Sequence, residues 1–333
     1  MRKTISGLVA IVLLLPASVF SDERGNVAGQ QKKNSARIRS VLWREPTDIR
    51  TRNLLFGPGG QRLRPQGPFK FIKEDRDGSS PKFVVEDRTG VRWKAKLGEE
   101  AKPEAAATRL LWAVGYFADV NYYHPRLQVS GLPRLSRGQK YVSGNVVNGV
   151  RLERVDKSVK KVDDWSWFDN PFVGSREFNG LRVMMALMNN WDLKDVNNAI
   201  YDLEGRELRY VVSDLGATFG KTGSDWTRSK GSLEDYLESR FIDEIEPANV
   251  DLVLHSRPPI LYVAAIPYYR QRTRMAQVAK DIPRSHARWI GRLLAQLSSP
   301  QIRDAFLGAG YSPGESQAYA TKVRERINQL VRV

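Results

Sequence analysis

Residues 190–216 read NWDLKDVNNAIYDLEGRELRYVVSDLG, a polar loop followed by two short apolar runs. The runs Ala199–Tyr201 and Leu208–Val212 predict the strands of a hairpin, with a glycine-containing turn between them. Because the strands of a hairpin are antiparallel, the start of one lies beside the end of the other. We therefore expect Asn197 and Asp214 at the same end of the hairpin.

Asp192 lies in the loop ahead of the hairpin and is expected at that same end. Two carboxylates and one amide then converge, from Asp192, Asn197 and Asp214. Hard oxygen ligands of this kind suit Mg²⁺ or Mn²⁺, which bind a few protein oxygens together with substrate phosphates. Asn198 is an alternative ligand one residue further along, and Asp195 is assigned a structural role.

Helical and strand-like patterns separate the two halves of the chain. Apolar side chains recur at helical spacing between Ser175 and Asn190 and predict a helix there. In the first half, short apolar runs bounded by turn residues predict three strands, which begin near Phe69, Phe83 and Val91. A helix from Pro103 to Gly115 follows, since proline suits the first turn of a helix.

The remainder of the chain after Gly216 is predicted to be helical, with the last two helices at Ile282–Leu297 and Pro313–Val331. Strands first and helices later indicate an α+β fold, with a small sheet-rich part and a larger helical part. Residues 22–50 are polar and basic with few apolar positions, which predicts a poorly ordered tether.

The loop and the hairpin resemble a known superfamily. Asp192-Leu193-Lys194-x-x-Asn197 resembles the catalytic loop of protein kinases, and Asp214-Leu215-Gly216 resembles their metal-binding Asp-Phe-Gly motif. An asparagine two residues before the aspartate, here Asn190, is similar to the HipA-type kinases, which belong with the phosphatidylinositol kinases on a divergent branch. The resemblance implies a bilobal kinase-like fold, with an N-lobe at residues 51–157 and a C-lobe at residues 158–333.

The first half of the chain resembles the same branch. The turn Gly78-Ser79-Ser80-Pro81-Lys82 is similar to the glycine loop that covers ATP phosphates in HipA-type kinases. Lys96 is similar to the kinase lysine that holds the α- and β-phosphates, and Glu104 to its ion-pair partner. Glu99 or Glu100 is an alternative partner, and Lys94, on the same strand face, is an alternative to Lys96. The resemblance therefore implies the following ATP-binding residues: Gly78, Ser79, Ser80, Lys82, Lys96 and Glu104.

The resemblance also implies an activity. Asp192 is the expected catalytic base, Lys194 neutralises charge on the moving phosphoryl group, and Asn197 and Asp214 hold Mg²⁺ or Mn²⁺. The expected function is ATP-dependent phosphotransfer to a hydroxyl of an unidentified protein or small-molecule acceptor. Two alternatives stay open: a secreted pseudokinase that binds a nucleotide, polyphosphate or protein partner without turnover, and a nucleotidyl transferase.

Composition limits the other possibilities. The 333 residues contain no cysteine, which excludes disulfides, thiolate metal sites and cysteine nucleophiles. The three histidines show no metal-ligand spacing. The net charge of +16 is spread along the chain. It indicates a solvated basic surface able to attract an anionic acceptor, rather than a specific nucleic-acid site.

The N-terminus has the pattern of a secretory signal. Arg2 and Lys3 precede an almost wholly apolar run from Ile5 to Phe20. Val19 and Ser21 suit the −3 and −1 positions of a cleavage site, so residues 1–21 are predicted to be removed. We expect a periplasmic or secreted protein, and an uncleaved membrane anchor is the alternative.

Overall fold

The computed structural model describes residues 38–78, 80–156, 158–223, 227–254 and 266–333. The folded unit that these residues form runs from Arg39 to Val333. Within the described residues, no helix is both long and apolar enough to cross a lipid bilayer. The predicted signal segment, residues 1–21, lies outside the described residues.

The described residues form a mixed α/β structure. Its strands are β1 (Arg39–Val41), β2 (Phe69–Asp75), β3 (Lys82–Glu86), β4 (Arg92–Leu97), β5 (Asn121–Ser130), β6 (Val142–Ser143), β7 (Val146–Arg154), β8 (Val159–Asp163), β9 (Asn198–Leu203), β10 (Glu207–Val212), β11 (Ile242–Ile245), β12 (Asn249–Leu252) and β13 (Ile282–Pro283). Its helices are α1 (Ala101–Ala113), α2 (Arg176–Leu187), α3 (Leu233–Glu238), α4 (Ile266–Gln277), α5 (Arg284–Leu294), α6 (Ser299–Leu307) and α7 (Pro313–Arg332).

The predicted strands of the first half lie in a six-stranded sheet with the order β4-β3-β2-β5-β7-β6, in which β4 also pairs with β7. Trp93, Ala95 and Leu97 alternate along β4 and are all buried in the apolar core of this sheet. The side chain of Lys96 is buried as well, although it lies between Ala95 and Leu97 and therefore points to the other face. The sheet thus carries one buried charge on β4.

Helix α1 follows β4 and packs into the second apolar core, most of whose residues come from the helices, strands and loops of the second half. The helix begins at Ala101, two residues before the predicted start, so that Pro103 is its third residue. Glu104 and Thr108 share a buried face of α1, as helical spacing predicts. The Thr108 hydroxyl donates to the backbone oxygen of Glu104, at 2.8 Å.

The predicted hairpin is formed by β9 and β10, with Asn198 opposite Val212 and Ala199 opposite Val211. Its strands belong to a four-stranded sheet with the order β1-β10-β9-β8. Strand β1 pairs in parallel with β10, and Leu42, just after β1, is buried. Residues 39–50, which were expected to belong to the tether at 22–50, are therefore part of the folded unit.

The end of the chain is only partly as predicted. The last helices, α5 and α7, lie where they were expected, and α6 lies between them. The expectation that everything after Gly216 is helical is wrong, because β11, β12 and β13 form a three-stranded antiparallel sheet. The division into an N-lobe at residues 51–157 and a C-lobe at residues 158–333 stays a prediction.

Candidate functional site

Lys96 is the centre of a cluster of charges. Its ammonium nitrogen Nζ lies 2.7 Å from Glu100 Oε2, 2.9 Å from Glu104 Oε2 and 3.4 Å from Asp214 Oδ1. Burial disfavours the charged form of Lys96, but the three carboxylates more than offset that effect and raise its pKa. The alternative lysine, Lys94, is 38% exposed at its side chain and lies 3.7 Å from a glutamate on β7.

Glu104, the expected ion-pair partner, and Glu100, one of its two alternatives, both contact Lys96. Glu104 is fully buried on α1, and its Oε1 lies 3.0 Å from Arg151 Nη2 on β7. Burial raises the pKa of Glu104, and the charges of Arg151 and Lys96 oppose that rise. Glu100 precedes α1, and although burial acts against its ionisation, the neighbouring cations Lys96 and Lys230 lower its pKa to about 2.

The glycine turn between β2 and β3 reaches this cluster through one hydroxyl. Ser80 Oγ donates to Glu100 Oε2 at 2.7 Å. Gly78 has φ of +63°, in the left-handed region that favours glycine. Lys82 Nζ lies 3.9 Å from Asp75 Oδ2 rather than at the cluster. Ser79 is outside the described residues.

The loop after α2 holds Asp192 and Lys194 together. Lys194 Nζ lies 2.8 Å from Asp192 Oδ1, and the side chains of both residues are partly exposed. The backbone N–H of Asp192 donates to Asn190 Oδ1 at 3.2 Å. Asn197 Nδ2 donates to the backbone oxygen of Asp192 at 2.7 Å, which leaves Asn197 Oδ1 as the atom of that amide suited to a cation.

Backbone hydrogen bonds join this loop to the Asp214 segment. The N–H of Asp214 donates to the backbone oxygen of Asn197 at 3.1 Å, and the N–H of Trp191 donates to the oxygen of Ala217 at 3.3 Å. The hairpin therefore brings Asn197 and Asp214 together, as the antiparallel register predicts. Asn198, the alternative ligand, is buried and its Nδ2 donates 2.9 Å to a backbone oxygen of the core.

The carboxylates around Lys96 do not form an open metal site. Glu100, Glu104 and Asp214 lie close enough together to hold one cation, with ligand atoms within 4.8 Å of one another. The ammonium of Lys96 already contacts all three. Asp214 and Asn197 fit a divalent cation better, because the Asp214 side chain is 41% exposed and Asn197 offers a hard amide oxygen.

Two residues of the site, Arg151 and Lys230, had no signal in the sequence, and neither had the packing of Gly216 against Glu100. Arg151 is buried against Glu104, and Lys230 donates a hydrogen bond to Glu100 Oε1. A Cβ on Gly216 would lie 2.8 Å from the Cβ and Cγ of Glu100, so glycine there permits the close approach of the two segments. Each contact joins residues distant in sequence, and local patterns do not reveal such pairs.

No family model matches the chain, and no curated protein matches it. Among solved structures, it is similar to the crystal structure of a Helicobacter pylori proinflammatory kinase, CtkA, with a TM-score of 0.42 and 9% identity. The similarity covers 79% of this chain and 96% of that one.

Proposed function

We propose that this protein is an ATP-dependent phosphotransferase with a bilobal kinase-like fold of the HipA-type branch. The supporting observation is that Lys96 contacts both Glu104 and Asp214. Lys96 and Asp214 are 118 residues apart in the chain, so it is the fold and not the local sequence that brings them together. A lysine fixed by a helical glutamate beside a metal-binding aspartate is the arrangement that phosphoryl transfer uses. Backbone hydrogen bonds hold Asn197 next to the same segment, and the side-chain amide of Asn197 donates to the backbone oxygen of Asp192.

Each residue then has a role. The Lys96 ammonium binds the α- and β-phosphates of ATP, and the turn with Gly78 and Ser80 lies over them. Asp214 and Asn197 hold Mg²⁺ or Mn²⁺, which neutralises phosphate charge when it is bound.

The reaction itself requires a base and a neutralising charge. The acceptor oxygen attacks the γ-phosphorus, the bond from that phosphorus to the β–γ bridging oxygen breaks, and ADP leaves. Asp192 orients the acceptor hydroxyl and takes its proton. Lys194 neutralises charge on the moving phosphoryl group. In the structure, its Nζ lies 2.8 Å from Asp192 Oδ1.

The test of this proposal is the Asp192→Asn variant, which keeps the shape and the hydrogen-bonding capacity of the side chain. Phosphate transfer is followed with ATP labelled at the γ-position, with Mg²⁺ and Mn²⁺, and with the protein itself and a panel of acceptors. We expect transfer to fall by roughly 10²-fold or more, the scale of general acid–base catalysis. Binding of ATP should stay almost unchanged, because the lost interaction belongs to the transition state.

Asp195→Asn is the matched control. Asp195 lies in the same loop, but its Oδ2 lies 3.2 Å from Arg274 and it has no role in the mechanism. Full transfer by Asp192→Asn, with or without a loss in Asp195→Asn, would contradict the assignment. A wild-type protein that binds ATP but transfers no label with either metal would instead support a pseudokinase. Label transferred from the α-position, and none from the γ-position, would indicate a nucleotidyl transferase.

A further inference from the structure

Three hydrogen-bond donors from separate parts of the chain converge on the carboxylate of Glu100. Lys96 on β4 lies 2.7 Å from Glu100 Oε2, and Ser80 Oγ in the glycine turn donates to the same oxygen at 2.7 Å. Lys230, beyond the Asp214 segment, donates to Glu100 Oε1. One anion thus joins a strand, a turn and a loop.

The position of Glu100 is not explained by the needs of the helix. Glu100 is the N-cap residue of α1, yet its side chain makes no capping hydrogen bond. Nor does Lys96 require Glu100 for neutralisation, because buried Glu104 lies 2.9 Å from the Lys96 ammonium. The Glu100 carboxylate is turned instead towards donors that belong to the proposed nucleotide site.

Lys230 connects the two ends of that site. Besides its bond to Glu100, its ammonium lies 5.4 Å from the centroid of the Trp191 ring, within the range of a cation–π contact. Trp191 directly precedes Asp192 in the chain. Lys230 therefore lies between the phosphate-binding lysine and the loop assigned to catalysis.

We propose that Ser80, Lys96 and Lys230 form an oxyanion site for the phosphates of a nucleotide, and that Glu100 occupies this site as an internal anion when no ligand is bound. The proposal rests on the proposed function and adds Lys230 as a phosphate-binding residue and Glu100 as an autoinhibitory contact. A phosphate offers more acceptor oxygens and more charge than one carboxylate, so it displaces Glu100 from these donors. The displaced carboxylate remains at the N-terminus of α1, where a negative charge is favourable.

Binding of inorganic tripolyphosphate and of ATP, measured by calorimetry without any acceptor, tests the proposal. Glu100→Gln removes the competing charge, and we expect both ligands to bind on the order of 10-fold more tightly. Glu99→Gln is the matched control, because Glu99 is exposed, carries the same charge and is the preceding residue. It should leave binding unchanged.

The lysine is tested in the opposite direction. Lys230→Met should weaken tripolyphosphate binding on the order of 10-fold, the scale of a lost charge-assisted hydrogen bond. Lys221→Met, an exposed lysine of the same segment, should leave binding unchanged. Thermal unfolding of each variant establishes that it is folded, and the lysine pair decides the question if Glu100→Gln does not fold.

Two outcomes separate this inference from the proposed function. If the ligands bind Glu100→Gln no more tightly, or bind Lys230→Met as tightly as the wild type, the oxyanion site is overturned even where transfer depends on Asp192. If both variants change binding as expected but no label is transferred, the oxyanion site stands and the phosphotransferase proposal fails.

Discussion

Replacing Lys96 with methionine removes the ammonium from the charge cluster while it keeps nearly the same length and volume of side chain. In the wild type this ammonium lies 2.9 Å from Glu104 Oε2, and both side chains are buried. Loss of one partner from a buried ion pair leaves an uncompensated charge and costs about 3–5 kcal/mol. Arg151 remains 3.0 Å from Glu104 Oε1, so we expect the lower end, about 3 kcal/mol.

The loss should depend on pH in a defined direction. Burial already raises the pKa of Glu104, and removing Lys96 takes away one of the two cations that oppose that rise. A carboxyl whose pKa is higher in the folded state than in the unfolded state binds its proton more tightly when folded. The contribution of this carboxyl to stability therefore falls as the pH rises from its pKa in the unfolded state towards its higher pKa in the folded state. Lys96→Met should be more destabilised at pH 8 than at pH 5.

Urea unfolding followed by the fluorescence of the 8 tryptophans measures these free energies. Lys94→Met is the matched control on the same strand, because its 38%-exposed side chain forms only a 3.7 Å ion pair. It should cost less than about 1 kcal/mol. In a double-mutant cycle, Glu104→Gln should restore part of the stability lost in Lys96→Met and remove its pH dependence. Equal costs for the two lysines, or strict additivity of Lys96→Met and Glu104→Gln, would refute the reasoning.

Further predictions concern the packing and the ionisation of the described residues. Gly216→Ala should destabilise the protein by about 1–3 kcal/mol in the same urea assay, because the added Cβ would lie 2.8 Å from carbons of Glu100. Asp119 has a pKa raised to about 7, mainly by burial and then by Glu153, against the opposing charge of Arg151. The buried Asp119 carboxyl is neutral in the folded protein at pH 4 and becomes charged, at a cost in stability, as the pH rises through about 7. Asn stays neutral, so Asp119→Asn should raise the thermal midpoint at pH 8 and change it little at pH 4. A midpoint gain at pH 4 as large as at pH 8 would contradict this prediction.

Local pattern was sufficient for the elements near the site. The strands that begin near Phe69, Phe83 and Val91 have apolar side chains bounded by turn residues, and each is confirmed in the six-stranded sheet. The hairpin is confirmed too, because its turn joins strands adjacent in sequence. The register of such a hairpin follows from the turn, and this is why the proximity of Asn197 and Asp214 was predictable.

Elements that depend on distant partners were not predictable in this way. Strand β1 reads Arg-Ser-Val and becomes a strand because β10, far along the chain, pairs with it in parallel. Strands β11 and β12 have four residues each and include several acidic side chains, so neither shows a clear apolar run. The pairing of β11 with β12, and of β12 with β13, supplies what the local sequence lacks.

Which glutamate, Glu100 or Glu104, can reach Lys96 depends on the residue at which α1 begins. A helix that starts at Ala101 places Glu100 beside the end of β4 and Glu104 one turn further along, and both carboxylates reach the same ammonium. Arg151 holds Glu104 in a fully buried pair, whereas the partners of Glu100 include a turn hydroxyl and a partly exposed lysine. The buried pair is costly to separate, and the more exposed contacts are cheaper to exchange for another anion. Glu104 therefore fixes Lys96, and Glu100 occupies the position of the ligand's phosphate until the ligand displaces it.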